Sequence, residues 1–179
     1  MQNQKAQSGE IAAYTPPAWD QLPDLGLYMD QVITYMERQF KVLYPKAGSL
    51  LTPSMINNYV KSGLVKRPAG KKYDREQLAQ LIMLCILKQV ASMEEMKQLL
   101  TPPEGKDTEQ LYAAFRGAQV HVYEALLSRP PESTAMQYAI EAAAFRGLCA
   151  QRLAEEVRPA AKPEPKKEKG PQPADAQAQ

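Results

Sequence analysis

Lys61, Lys66, Arg67, Lys71, Lys72 and Arg75 place six cationic side chains within fifteen residues, opposed by a single acid, Asp74. Ammonium and guanidinium groups at that density suit phosphate oxygens, which accept charge-assisted hydrogen bonds from both. Just upstream, in the helical stretch that begins at Thr52-Pro53, Ile56, Tyr59 and Val60 share one face, which leaves Ser54, Asn57, Asn58 and Lys61 on the other. An Asn side-chain amide pairs with N6 and N7 of adenine in a major groove, and Ser and Lys reach base edges or phosphates. The segment therefore has two kinds of group that nucleic acid requires: Asn57 and Asn58 to read, and Lys66, Arg67, Lys71, Lys72 and Arg75 to hold the backbone. Tyr73, which ends the basic stretch, completes the candidate surface.

Charge elsewhere supports this division. Residues 46–75 hold seven Lys or Arg against one Asp, whereas residues 76–157 hold eleven acids against seven bases. The net charge of +2 conceals a basic front and a mildly acidic back, an electrostatic footprint for a polyanion. At 44% hydrophobic and 23% charged, the 179 residues have the composition of a globular domain with a real core. Cys85 and Cys149 are the only cysteines and sit in apolar helical patterns, so they are expected as free thiols. The first eighteen residues lack an apolar signal core, and the longest apolar run, Leu81 to Leu87, is too short to span a bilayer. A cytoplasmic protein without membrane contact is expected.

The elements that must position the basic segment are legible from caps and periodicity. Residues 1–18 are polar with Pro16 and Pro17 at their end, and are expected to lack fixed structure. Trp19 and Leu22 are expected to fold back as a lid on the core. Tyr28, Val32, Tyr35, Met36, Phe40 and Leu43 recur at helical spacing. Thr52 with Pro53 starts the short helix 52–61, and Gly63 suits its end. Pro68 and Gly70 favour a turn between two short arms over 64–75, a small β-hairpin. Asp74 to Gln77 is a capping box that opens a helix to about Val90, apolar around most of its circumference. Ser92 to Glu95 is a second box, and Thr134 with Gln137 a third. Between them a helix over 108–127 carries Leu111, Phe115, Ala118, Val122 and Leu126 on one stripe. The final helix to Val157 has a small seam of Ala139, Ala143, Gly147, Ala150 and Ala154. The pair is expected to form an antiparallel helical hairpin, 104–157, as a dimerisation or regulatory element. Residues 158–179 are rich in Pro, Lys, Ala, Glu and Gln, and a disordered basic tail is expected there.

The order short helix, Gly63-Leu64, basic segment Lys66 to Lys72, Tyr73, capped helix from Asp74, and Ser92-Met93-Glu94-Glu95-Met96 resembles the MerR-type winged helix-turn-helix. The segments LYMDQV, LTPSMINNYVK, KKYDREQL and LKQVASMEEM, over about residues 22–100, resemble a bacterial family known as domain of unknown function 1836. These resemblances imply a mainly α fold in which a winged helix-turn-helix domain (19–103) carries a small β-hairpin wing. They imply a DNA-binding transcriptional regulator, with double-stranded DNA and a second copy of the chain as partners. The pattern departs from MerR proteins where they carry Arg-Tyr in the groove helix and this chain has Asn57-Asn58, and in its short wing. It also lacks the cysteine-bearing dimer helix of metal-sensing members.

Other signals point away from chemistry. Gly63 stands at the wrong spacing from Gly70-Lys71-Lys72 for a phosphate loop, and no Ser or Thr follows the lysines. His121 has no partner at ligand or triad spacing. Glu94-Glu95 is accounted for by capping. No catalytic residue, cofactor or metal is expected. The rival to a regulator is a protein-interaction module that uses helices 104–157, with the basic segment serving only solubility.

Overall fold

The computed structural model describes residues 14–44, 50–128 and 134–156. Among them are six helices and no strand: α1 Met29–Phe40, α2 Pro53–Lys61, α3 Arg75–Leu87, α4 Met93–Leu100, α5 Thr108–Leu127 and α6 Ala135–Glu156, with a 3₁₀ turn at Trp19–Gln21 before them. The fold is mainly α, as the periodicity implies. Residues 1–13 and 158–179 lie outside the described residues.

Each helix start follows from a local hydrogen bond. The Thr52 hydroxyl accepts the Met55 N–H at 3.2 Å, and Pro53 occupies the first turn, where its missing N–H costs nothing. The Asp74 carboxylate accepts Glu76 N–H at 2.9 Å while Gln77 Oε1 accepts Asp74 N–H at 2.6 Å, a reciprocal box. Ser92 and Glu95 repeat it for α4, and Asp107 with Gln110 for α5. Gly63, at φ 79, lets the chain leave α2 in the left-handed region, with Leu64 N–H returning to Tyr59 O at 2.9 Å.

The core is organised around α3. Every residue from Gln77 to Cys85 is buried, so the helix has no solvent stripe over that stretch. It packs against α4 and, more extensively, against α5, while α1 packs against α2. Val32, Met36 and Phe40 of α1 and Ile56 and Tyr59 of α2 complete the cluster. Leu22 is fully buried and the Trp19 ring meets Tyr112 at a tilt, with centroids 6.1 Å apart, the lid expected of them.

Four expectations are corrected. Residues 14–18, predicted to lack fixed structure, lie along α5: Tyr112 Oη donates to Pro17 O at 2.8 Å and Arg116 Nε to Pro16 O at 2.9 Å, while Tyr14 packs on Phe40 at 5.7 Å. A buried aromatic anchors what composition alone marks as polar. The α5 stripe is shifted by one position. Thr108, Tyr112 and Gln119 are buried because Tyr112 takes the core site beside Phe115 and Trp19, which leaves Val122 exposed.

The β-hairpin wing is replaced by a turn with one antiparallel bridge, Ala69 to Lys72. Its C-terminal arm pairs elsewhere: Tyr73 and Leu27 exchange two backbone hydrogen bonds of 2.8 Å each. Its N-terminal arm is held by Tyr59 O and by Gln80, so few backbone groups remain to pair across the turn. Finally, α6 does not lie along α5 as a packed hairpin. It rests on α4, where Arg146 meets Glu95 at 2.8 Å, and Leu153 is its one buried residue among those described.

Ser92 hydrogen bonds and Arg146 together hold the Glu95 carboxyl below the usual carboxylate range. Its cap and ion pair therefore support the fold above the ordinary glutamate pKa and weaken as pH falls through the lowered value. Truncating a fully buried side chain of α3 tests the core. Leu81→Ala is expected to lower the unfolding free energy by about 2–5 kcal/mol. Tyr112→Phe, which deletes one hydrogen bond, should cost about 0.5–1.5 kcal/mol. Urea denaturation followed by circular dichroism measures both.

Candidate nucleic-acid interface

The outward row of α2 forms as its spacing requires. Ile56 and Tyr59 enter the core, and Ser54, Asn57, Asn58 and Lys61 are all exposed and line one shallow depression. Asn57 also lines a second recess with Arg67 and Lys71 from the turn, Tyr28 and Asp30 from the start of α1, and Tyr73 at its floor. The polar helix face and the tip of the basic turn are therefore continuous through Asn57.

The turn is held at both ends by glutamines of α3. Gln80 Oε1 accepts Lys66 N–H at 2.8 Å and Gln77 Oε1 accepts Asp74 N–H at 2.6 Å. Both glutamines are buried, where an unpaired amide would be costly, so each side chain has a defined backbone partner. Between these points Gly70, at φ 67, makes the reversal that a β-carbon would disfavour.

The structure separates the ten sequence-derived candidates into three groups. Ser54, Asn57, Asn58, Lys61, Arg67, Lys71 and Lys72 are exposed, and among the described residues no ion pair to an acid is found for Lys61, Arg67, Lys71 or Lys72. Lys66 is exposed but committed: its Nζ lies 2.6 Å from Glu76, whose other oxygen accepts the Thr108 hydroxyl at 2.9 Å. The hydrogen bond to Glu76 raises the Lys66 pKa, and the residue lines a different recess, with Lys97 and Asp107. Tyr73 and Arg75 are placed otherwise. Tyr73 is 4% exposed, with its phenol pKa raised by burial, and Arg75 Nε donates to Leu22 O at 3.2 Å. Tyr73 closes the core beneath the turn, and Arg75 ties α3 to the N-terminal lid.

Two residues missed by the sequence reading set the position of Lys72. Its Nζ stands over the Tyr28 ring, 5.3 Å from the centroid, a cation–π contact. Its stem runs past Gly26, where an added β-carbon would stand 2.9 Å from Lys72 Cβ. No motif announces either residue, because the juxtaposition comes from the pairing of Leu27 with Tyr73, 46 residues apart.

Fold and site together define a small helical domain built on one buried helix, with a polar short helix and a basic turn on the same surface. Residues 17–115, more than half of the chain, match the family described as Domain of unknown function (DUF1836), and the chain belongs to that family. The match runs from the N-terminal lid into α5 and so contains the whole candidate surface. No curated protein and no solved structure matches the chain. Among the described residues no helix is long and apolar enough to cross a membrane.

The turn geometry makes its own prediction. At φ 67 nothing lies within 4 Å of a β-carbon built on Gly70, so the penalty of substitution is backbone strain rather than a clash. Gly70→Ala is expected to cost about 1–2 kcal/mol, read as a lowered urea midpoint with an unchanged slope.

Proposed function

We propose that this chain is a sequence-specific DNA-binding transcriptional regulator of MerR-like helix-turn-helix type, with a basic turn in place of the wing, acting in the cytoplasm. In this reading α2 enters the major groove, Asn57 and Asn58 read base edges, and Ser54 and Lys61 flank them. Arg67, Lys71 and Lys72, carried on the turn that stands where a wing would, contact phosphates and set the register. The observation that carries the reading is the continuity of the α2 polar row with Arg67 and Lys71 through Asn57. A helix face and a cationic rim on one surface are the two parts that groove recognition requires.

The ion pairs refine which charges count. Lys66 is already matched by Glu76, so its release to phosphate would leave that carboxylate without its counter-charge. Lys71→Ala with Lys72→Ala is expected to weaken binding to every duplex and reduce the slope of log affinity against log salt by about two. Lys66→Ala is expected to change that slope little. Asn57→Ala should cost about 1–3 kcal/mol on a selected site and little on random duplex. Fluorescence anisotropy over a salt series measures all three, and salt-independent binding, or none at low salt, contradicts the proposal.

A second reading, a protein-interaction module using residues 104–157, draws on the apolar side chains that α6 leaves in solvent. It differs in outcome: the purified protein would not shift duplex DNA at moderate salt.

A further inference from the structure

A recess of about 390 Å³ lies between the end of α2, the first turns of α3, the end of α4 and the start of α5. Lys66, Glu76, Gln80, Lys97 and Asp107 line it, and the proposed DNA surface does not use it. Its volume is at the lower end of the range for small-molecule sites, which suits a metabolite.

Gln80 sets what the recess demands. The residue is 9% exposed, and its Oε1 accepts Lys66 N–H at 2.8 Å. Among the described residues its Nε2 has no hydrogen-bond partner. Nor is that nitrogen sealed in the core, as the unpaired side-chain atoms of Tyr14 and Gln119 are. A donor nine-tenths withdrawn from water, on the wall of a recess, favours an acceptor brought in by an occupant.

The charges around it are balanced. Lys66 is locked to Glu76 at 2.6 Å, whereas Lys97 meets Glu94 at 3.1 Å as an exposed pair within α4, the weak kind. Asp107 accepts Gln110 N–H through Oδ1 at 2.9 Å, and its Oδ2 has no partner among the described residues. A simple anion in the recess would meet Glu76 and Asp107. A simple cation would meet Lys66, Lys97 and the positive end of the α5 dipole. A molecule with both signs on neighbouring atoms meets neither objection. Leu64 and Leu100, both buried, add an apolar floor.

We propose that the recess binds a small zwitterion of the α-amino-acid class. Its carboxylate accepts from Gln80 Nε2 and Lys97 Nζ, its ammonium donates to Asp107 Oδ2, and its side chain rests on Leu64 and Leu100. Gln80 also holds the basic turn at Lys66, so the occupant bears on a side chain that positions the proposed DNA interface. That consequence rests on the DNA-binding reading. The binding itself does not, and it is tested without DNA.

The test is ¹H–¹⁵N NMR of the full chain, with each common L-amino acid added in turn. At least one is expected to shift the Gln80 side-chain amide and the Asp107 and Thr108 backbone amides saturably, with a Kd of about 1 mM or tighter. Acetate and methylammonium, each carrying one charge of the pair, should bind at least about tenfold more weakly. Lys97→Met, and Asp107→Asn, which keeps a competent N-cap, should each weaken binding by about tenfold. Gln80→Glu keeps an acceptor for Lys66 N–H but replaces the donor, so binding should be lost. If circular dichroism shows that this variant does not fold, the two surface variants decide. No shift at these amides with any amino acid overturns the proposal. So does acetate binding as tightly as the best amino acid, or binding that Lys97→Met and Asp107→Asn leave unchanged.

Discussion

The structure depends on a helix that has no outside. From Gln77 to Cys85, α3 is buried on every face, which brings Leu78, Leu81, Ile82 and Leu84 out of water together. At roughly 1.5–3 kcal/mol for each large side chain fully buried, that segment alone is a dominant stabilising contribution. A helix buried all round must also satisfy its polar residues internally. Gln77 and Gln80 do so by accepting the backbone N–H groups of Asp74 and Lys66, one at each end of the basic turn. The requirement that the core be satisfied is thus the same requirement that fixes the turn.

That constraint determines which charges are available. A turn anchored at Lys66 and Asp74 has its tip, Arg67 to Lys72, beside Asn57, while the backbone N–H groups at its ends are held by Gln80 and Gln77. Lys66 pairs with Glu76, which also holds the first residue of α5, and Arg75 holds the carbonyl of Leu22. Two of the six cations thus secure the scaffold, and four, counting Lys61 on α2, remain at the proposed interface. A grip with fewer phosphate contacts gives a shallower salt dependence than the sequence count suggests. More of the discrimination then falls to Asn57 and Asn58.

Much of this was legible in the sequence, and the boundary between what was and was not has a physical origin. Helix starts were read well because a cap is a contact over three residues: Thr52, Asp74, Ser92 and Thr134 each bond as their spacing implies. The outward row of α2 was read for the same reason, since helical periodicity decides it. The turn was misread as a paired hairpin because the partner of Tyr73 is Leu27, a choice no local pattern reveals. Tyr73 and Arg75 look identical to surface residues in sequence, and only tertiary packing buries one and ties down the other. Gln80 carried no signal at all, a polar residue in an apolar run whose partner lies 14 residues upstream. Family membership adds the extent of the domain, since the match encloses α3 and everything packed around its turn.

The central claim is that one surface, the α2 row with the tip of the turn, contacts a duplex. Amide chemical-shift mapping by NMR, on titration of a short DNA duplex at low salt, tests it most directly. The account predicts shifts concentrated at Ser54, Asn57, Asn58 and Lys61 and from Arg67 to Lys72, with α6 unmoved. No perturbation on saturating addition of duplex, or perturbation centred on Met136 to Leu148, would contradict it.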